Sequence, residues 1–179
     1  MSIVGLAYVV GALLVLCGLA ILLCAQSLSS MIYRCLRNEI FGLVVFCLGG
    51  LWFLYEISCL SEADFGQYRG LLILLFGSVL VACCIYWRDW LSVRGLSLIS
   101  LLLMNQCLAV GYMKADVLCP WVALFCYIII IGALFFGTYP YRVGDFLRWS
   151  ELVGAWPMKL LGALSVTYGT FILYLSVVR

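Results

Sequence analysis

Apolar residues in this chain do not alternate with polar ones; they gather in six long blocks, Ile3 to Leu28, Ile40 to Leu60, Gly70 to Trp87, Val93 to Met113, Val117 to Gly137 and Met158 to Val178. At 1.5 Å per residue, a block of about 20 residues crosses a hydrocarbon core about 30 Å thick, so each block is predicted to be a transmembrane helix. The third is the shortest, and without it the count would be five. A membrane barrel would alternate lipid-facing and lumen-facing positions, whereas these blocks are apolar on every side. The expected fold is therefore all-α, a polytopic transmembrane helix bundle forming one domain over residues 1–179. Between the fifth and sixth blocks, Tyr139 to Pro157 carries Arg142, Asp145, Arg148, Trp149 and Glu151 between two prolines. Its mixture of rings and long cationic stems suits a loop lying along the headgroup level.

Composition strengthens the membrane reading. Hydrophobic residues make up 67% of the chain and charged ones 10%, with a mean hydropathy of +1.22, far from the soluble globular range. The first block has no basic stretch before it and exceeds the apolar core of a signal peptide, so it is expected to be a retained helix. Arg34, Arg37, Arg88, Arg94, Arg142, Arg148 and Lys159 fall in the odd-numbered connections, against Arg69, Lys114 and Arg179 on the other side. The positive-inside rule then puts the odd connections on the cytoplasmic or matrix side and the N-terminus outside.

Little chemistry is on offer. A net charge of +2, dispersed along the chain, is no footprint for nucleic acid. Histidine is absent, which removes the commonest general base and metal ligand and the usual axial ligand of a b-type haem. Most of the ten cysteines lie inside apolar blocks, as small hydrophobes, with no CxxC pair; only Cys59 and Cys119, at block ends, are placed to bridge. No nucleotide loop, nucleophile elbow or zinc-protease motif occurs, and no cofactor is expected. The prolines mark block ends rather than the mid-membrane breaks of carriers.

Three features concern packing or a route for ions. Gly11, Gly18 and Ala25, Gly42 and Gly49, and Gly162, Gly169 and Ser176 recur at seven-residue spacing. Seven residues is nearly two turns, so each set is a smooth stripe along which a neighbouring helix can approach closely. Glu56 continues the second stripe by another seven, which turns it toward protein; a carboxylate inside an apolar block is by default part of a proton or ion route, although its nearness to the block end would also let it reach water. Asn105 and Gln106, in the fourth block, are expected to be paired, because unpaired amides are costly in lipid. Arg88, Trp90, Arg142, Arg148 and Trp149 are expected to anchor at the interface or contact lipid headgroups, and residues 62–64 to form a solvated acidic connection.

Asn38 opening the second block, Ala63, Asp64 and Phe65 after it, Phe76, Gly77 and Ser78 in the third, and Gly132, Phe135, Phe136 and Tyr139 near the fifth carry a resemblance. They are similar to elements of NADH-ubiquinone oxidoreductase chain six, the bacterial chain J family, in the membrane arm of respiratory complex I. The likeness covers about half the chain. It departs from the family in lacking a proline after Asn38, in having Leu75 where a tyrosine stands, and in showing six blocks rather than five. The resemblance implies a noncatalytic subunit of a proton-pumping complex in a mitochondrial or bacterial inner membrane, with partner membrane subunits and phospholipids around it and, at Gly77, a helix able to form a π-bulge. Beside it stand a small autonomous transporter or channel centred on Glu56 with Asn105 and Gln106, and a membrane assembly or anchor protein.

Overall fold

The computed structural model describes residues 3–61, 65–86, 89–112, 116–154 and 156–178. Among them are seven helices and no strand: α1 (Ile3–Arg37), α2 (Glu39–Ser58), α3 (Arg69–Tyr86), α4 (Leu91–Gly111), α5 (Leu118–Thr138), α6 (Tyr141–Leu152) and α7 (Trp156–Val178). All but α6 are long and apolar enough to cross a membrane, and the fold is the expected all-α bundle of an integral membrane protein.

Local chemistry sets the helix starts. Asn38 caps α2, its Oδ1 accepting the backbone N–H groups of Ile40 at 3.0 Å and Phe41 at 3.4 Å, two donors that no helical carbonyl reaches. Pro120, Pro140 and Pro157 stand at or just inside the starts of α5, α6 and α7, where a missing N–H costs no helical bond. Phe65 and Trp90 precede the next helical turns with φ of +64° and +57°, a left-handed conformation uncommon for bulky side chains.

The glycine stripes lie in the helix contacts. Helices α1 and α7 run antiparallel and cross at two glycine pairs. A Cβ on Gly18 would stand 2.8 Å from the Gly162 carbonyl oxygen, and one on Gly162 would stand 3.0 Å from that of Gly18. Gly11 and Gly169 repeat the arrangement at 3.2 and 2.9 Å. Only glycines allow backbones this close, and closeness substitutes for the hydrophobic drive that lipid does not supply. Helices α2 and α4 run parallel: a Cβ on Gly42 would meet the Ser92 nitrogen at 2.9 Å, one on Gly49 the Ile99 side chain at 3.1 Å, and one on Gly95 the Phe46 nitrogen at 2.7 Å. Helix α5 joins α4 to α7, with Phe125 stacked on Tyr168 and Trp121 edge-on to Phe171.

Helix α3 is different. It leans on α2 through Phe76 against Phe53, 5.2 Å between ring centroids, and Cys84 beside Cys47, yet none of its residues is buried. It runs as unbroken α-helix through Gly77, so the π-bulge suggested there is not formed in this structure, and a Cβ on Gly77 would meet nothing within 4 Å.

Two expectations are corrected at the far end of α1. The first helix does not stop at residue 28 but reaches Arg37, 35 residues in all, about 52 Å at the α-helical rise. It bends at Cys24 (φ −121°, ψ 29°), immediately before a turn in which Ser29 and Ser30 donate to the carbonyls of Gln26 and Ser27, the back-bonding that bends helices. The stretch 139–157 is mostly not loop: α6 occupies its middle, burying Gly144, Leu147 and Ser150 on one narrow face. That face packs on the part of α1 beyond the bend, around Leu36, Val93 and Met158. Together α6 and the end of α1 form a cap over one face of the bundle; both described chain ends lie at the opposite face.

Candidate functional site

At the face opposite the cap, Glu56 occupies the last turn of α2 and is half-buried. Its Oε1 accepts from Gln106 Nε2 at 2.9 Å and from Trp52 Nε1 at 3.1 Å. The register explains the meeting, since Gly42, Gly49 and Glu56 on α2 face Ser92, Ile99 and Gln106 on α4, both sets advancing by seven along parallel helices. Gln106 lies five residues before the end of α4, about 7.5 Å at the helical rise, which puts the pair close to the membrane surface rather than at mid-depth. Two neutral donors on one carboxylate oxygen make a hydrogen-bonded clamp between α2 and α4. Asn105 departs from expectation. One position round the helix from Gln106, it is exposed and makes no hydrogen bond to a described residue.

At the cap a cavity of about 490 Å³ opens between the end of α1, the starts of α2 and α4, and α6, and its wall is mainly polar. Arg148 on α6 donates to the Tyr33 hydroxyl at 2.7 Å, its guanidinium 5.3 Å from the centre of the same ring. Tyr33 meets Trp90 edge to face at 6.3 Å. Trp90 in turn lies against Gly144, where a Cβ would come within 2.5 Å of its Cη2; the strained backbone at Trp90 is thus held by packing from both α1 and α6. The Ser92 hydroxyl donates to the Leu36 carbonyl, fastening the start of α4 to the end of α1. Arg37, Glu39 and Asp89 complete the charged lining. Nearby, Ser29 donates to Glu151 at 3.3 Å, while the fully buried Ser150 hydroxyl has no partner among the described residues.

The residues expected at the interface thus divide. Arg148 and Trp90 line this cavity. Arg142 and Trp149 are exposed on α6, beside Tyr141 and Phe146 respectively. Arg88, Lys114, Arg179 and residues 62–64 lie outside the described residues. Sequence reasoning missed Tyr33, because it ended the helix carrying it at Leu28, five residues short of Tyr33 and well before the helix end at Arg37; a tyrosine and two arginines close together, Tyr33, Arg34 and Arg37, were the available signal. Cys59 and Cys119 are free thiols, not a bridge: Cys119 faces the Gly111 carbonyl at 3.7 Å. No group of three or more potential metal ligands gathers among the described residues. Comparisons with protein-family models, with curated proteins and with solved structures find no match to this chain.

Proposed function

We propose that this chain is a noncatalytic integral-membrane subunit that works by packing against other membrane chains. The observation that supports this most is α3: a full crossing without one buried residue, bearing Gly70 and Gly77 at seven-residue spacing with open space around both. In α1, α2 and α7 the same glycine pattern is occupied by a neighbouring helix, and small residues are what close helix contacts in lipid require. The exposed Asn105 amide supports the same reading, because a partner chain can satisfy hydrogen bonds that lipid cannot. The more specific form is the one carried by the resemblance, a subunit of the proton-pumping membrane arm of a respiratory complex, in a mitochondrial or bacterial inner membrane. Gentle detergent extraction and native electrophoresis test it. The chain is expected in a band several times its 20.0 kDa mass beyond the micelle; migration as a free monomer would overturn the proposal.

A second reading, a small transporter or channel, is favoured by the 2.9 Å contact joining Glu56 to Gln106. Glu56→Gln in reconstituted liposomes separates the two. A proton or cation flux abolished by the substitution supports transport, and the absence of flux from both proteins supports the subunit.

A further inference from the structure

We infer that the cap cavity binds the headgroup of a zwitterionic phospholipid, a phosphate ester carrying an amine. Its charges come in both signs: Arg37 and Arg148 against Glu39 and Asp89. Among the described residues none of these four forms an ion pair with another, so the cavity holds opposite charges that do not neutralise each other directly. The two cations converge. Arg148 donates to the Tyr33 hydroxyl, and Arg37 is near enough to act electrostatically on that hydroxyl. A phosphate beside Tyr33 would take charge-assisted hydrogen bonds from both guanidiniums, the geometry arginine favours. The amine would then reach Asp89 and Glu39 with the Trp90 ring beside them, carboxylates and an aromatic face being the two groups that attract an ammonium.

The pattern discriminates among ligands. A purely anionic headgroup would meet two carboxylates, and a purely cationic one two guanidiniums; only a dipolar headgroup gains from all four. The neighbouring surface selects a lipid over a soluble phosphate ester. Glu39 and Leu91 also line an adjoining groove of about 190 Å³ that continues over Ile40 and Leu43, side chains 77% and 40% exposed. This apolar track leads from the cavity along α2 toward the hydrocarbon, where an acyl chain attached to the headgroup would lie. Trp90 adds a further sign of a built site, since its left-handed backbone (φ +57°) is held in a cavity wall, and such strain gathers where surrounding structure fixes a binding geometry.

Native mass spectrometry of the full chain, released from mild detergent and titrated with defined lipids, tests the assignment. Phosphatidylethanolamine should be retained about tenfold better than phosphatidylglycerol, the effect expected of one charge-assisted contact. Arg148→Gln should weaken both lipids. Because that substitution also removes the bond to Tyr33, Asp89→Asn, at a residue with no described hydrogen bond, is the second variant: it should erase the preference for phosphatidylethanolamine while leaving phosphatidylglycerol bound. Equal retention of the two lipids by the unaltered chain, or an unchanged preference in Asp89→Asn, would overturn the proposal. So would displacement of phosphatidylethanolamine by soluble phosphoethanolamine at equal concentration, which would mean that the apolar track contributes nothing.

Discussion

Replacing Gly18 by alanine should loosen the bundle, whereas the same change at Gly77 should not. At Gly18 the added Cβ would stand 2.7 Å from Val166 Cγ2, 2.8 Å from the Gly162 carbonyl oxygen and 3.0 Å from the Val166 nitrogen. Comfortable separation for such atoms is about 3.5 Å or more, so the overlap is roughly 0.5–0.8 Å, and two of the three atoms are backbone that no rotamer change can move. Helices α1 and α7 must part along their glycine contacts, and overpacking of this kind costs about 1–3 kcal/mol. At Gly77 nothing lies within 4 Å. Alanine is the better helix former by up to about 1 kcal/mol, but that gain is common to both sites and cancels in the comparison. The purified single chain in bicelles, unfolded reversibly by denaturing detergent, should therefore show Gly18→Ala less stable than Gly77→Ala by about 1–3 kcal/mol. Stabilities within about 0.5 kcal/mol of each other, inside the usual scatter of surface substitutions, would refute the close approach of α1 and α7.

Further outcomes are expected at the two ends of the bundle. In the same assay Glu56→Leu should cost about 1 kcal/mol, the usual worth of a hydrogen bond between membrane helices, and Gln106→Leu made in addition should cost little more, because the clamp is already open. Asn38→Ala removes the acceptor of the first N–H groups of α2 and should cost about 0.5–2 kcal/mol. Ser150→Ala removes a buried hydroxyl without a described partner and should raise stability by about 1 kcal/mol; a loss of that size would mean the hydroxyl is satisfied in solution.

The membrane crossings were legible because lipid demands long apolar stretches whatever surrounds them, and the glycine spacing marked faces that the fold uses for close contact. Which stripe meets which was not legible. Gly42 and Gly49 pack along a run on α4 whose equivalent positions are Ser92, Ile99 and Gln106, residues with nothing but their spacing in common, so the parallel pairing of α2 with α4 left no compositional trace. Helix α6 escaped notice for a related reason. Its buried face consists of Gly144, Leu147 and Ser150, a single apolar residue among three, too weak a period to separate from a loop. The first apolar block was bounded at Leu28, yet beyond it α6 supplies the packing that lipid does not. That misjudged end hid Tyr33, and with it the link from Arg148 to Trp90 that shapes the cap cavity.

The account turns on whether α3 is covered by another protein. A photo-crosslinking amino acid placed at position 77, activated in intact native membranes before any extraction, tests this most directly. A discrete crosslinked band containing this chain and a second membrane protein is the predicted result. Crosslinks to lipid alone would contradict it, leaving α3 as the lipid-facing edge of a chain that acts by itself.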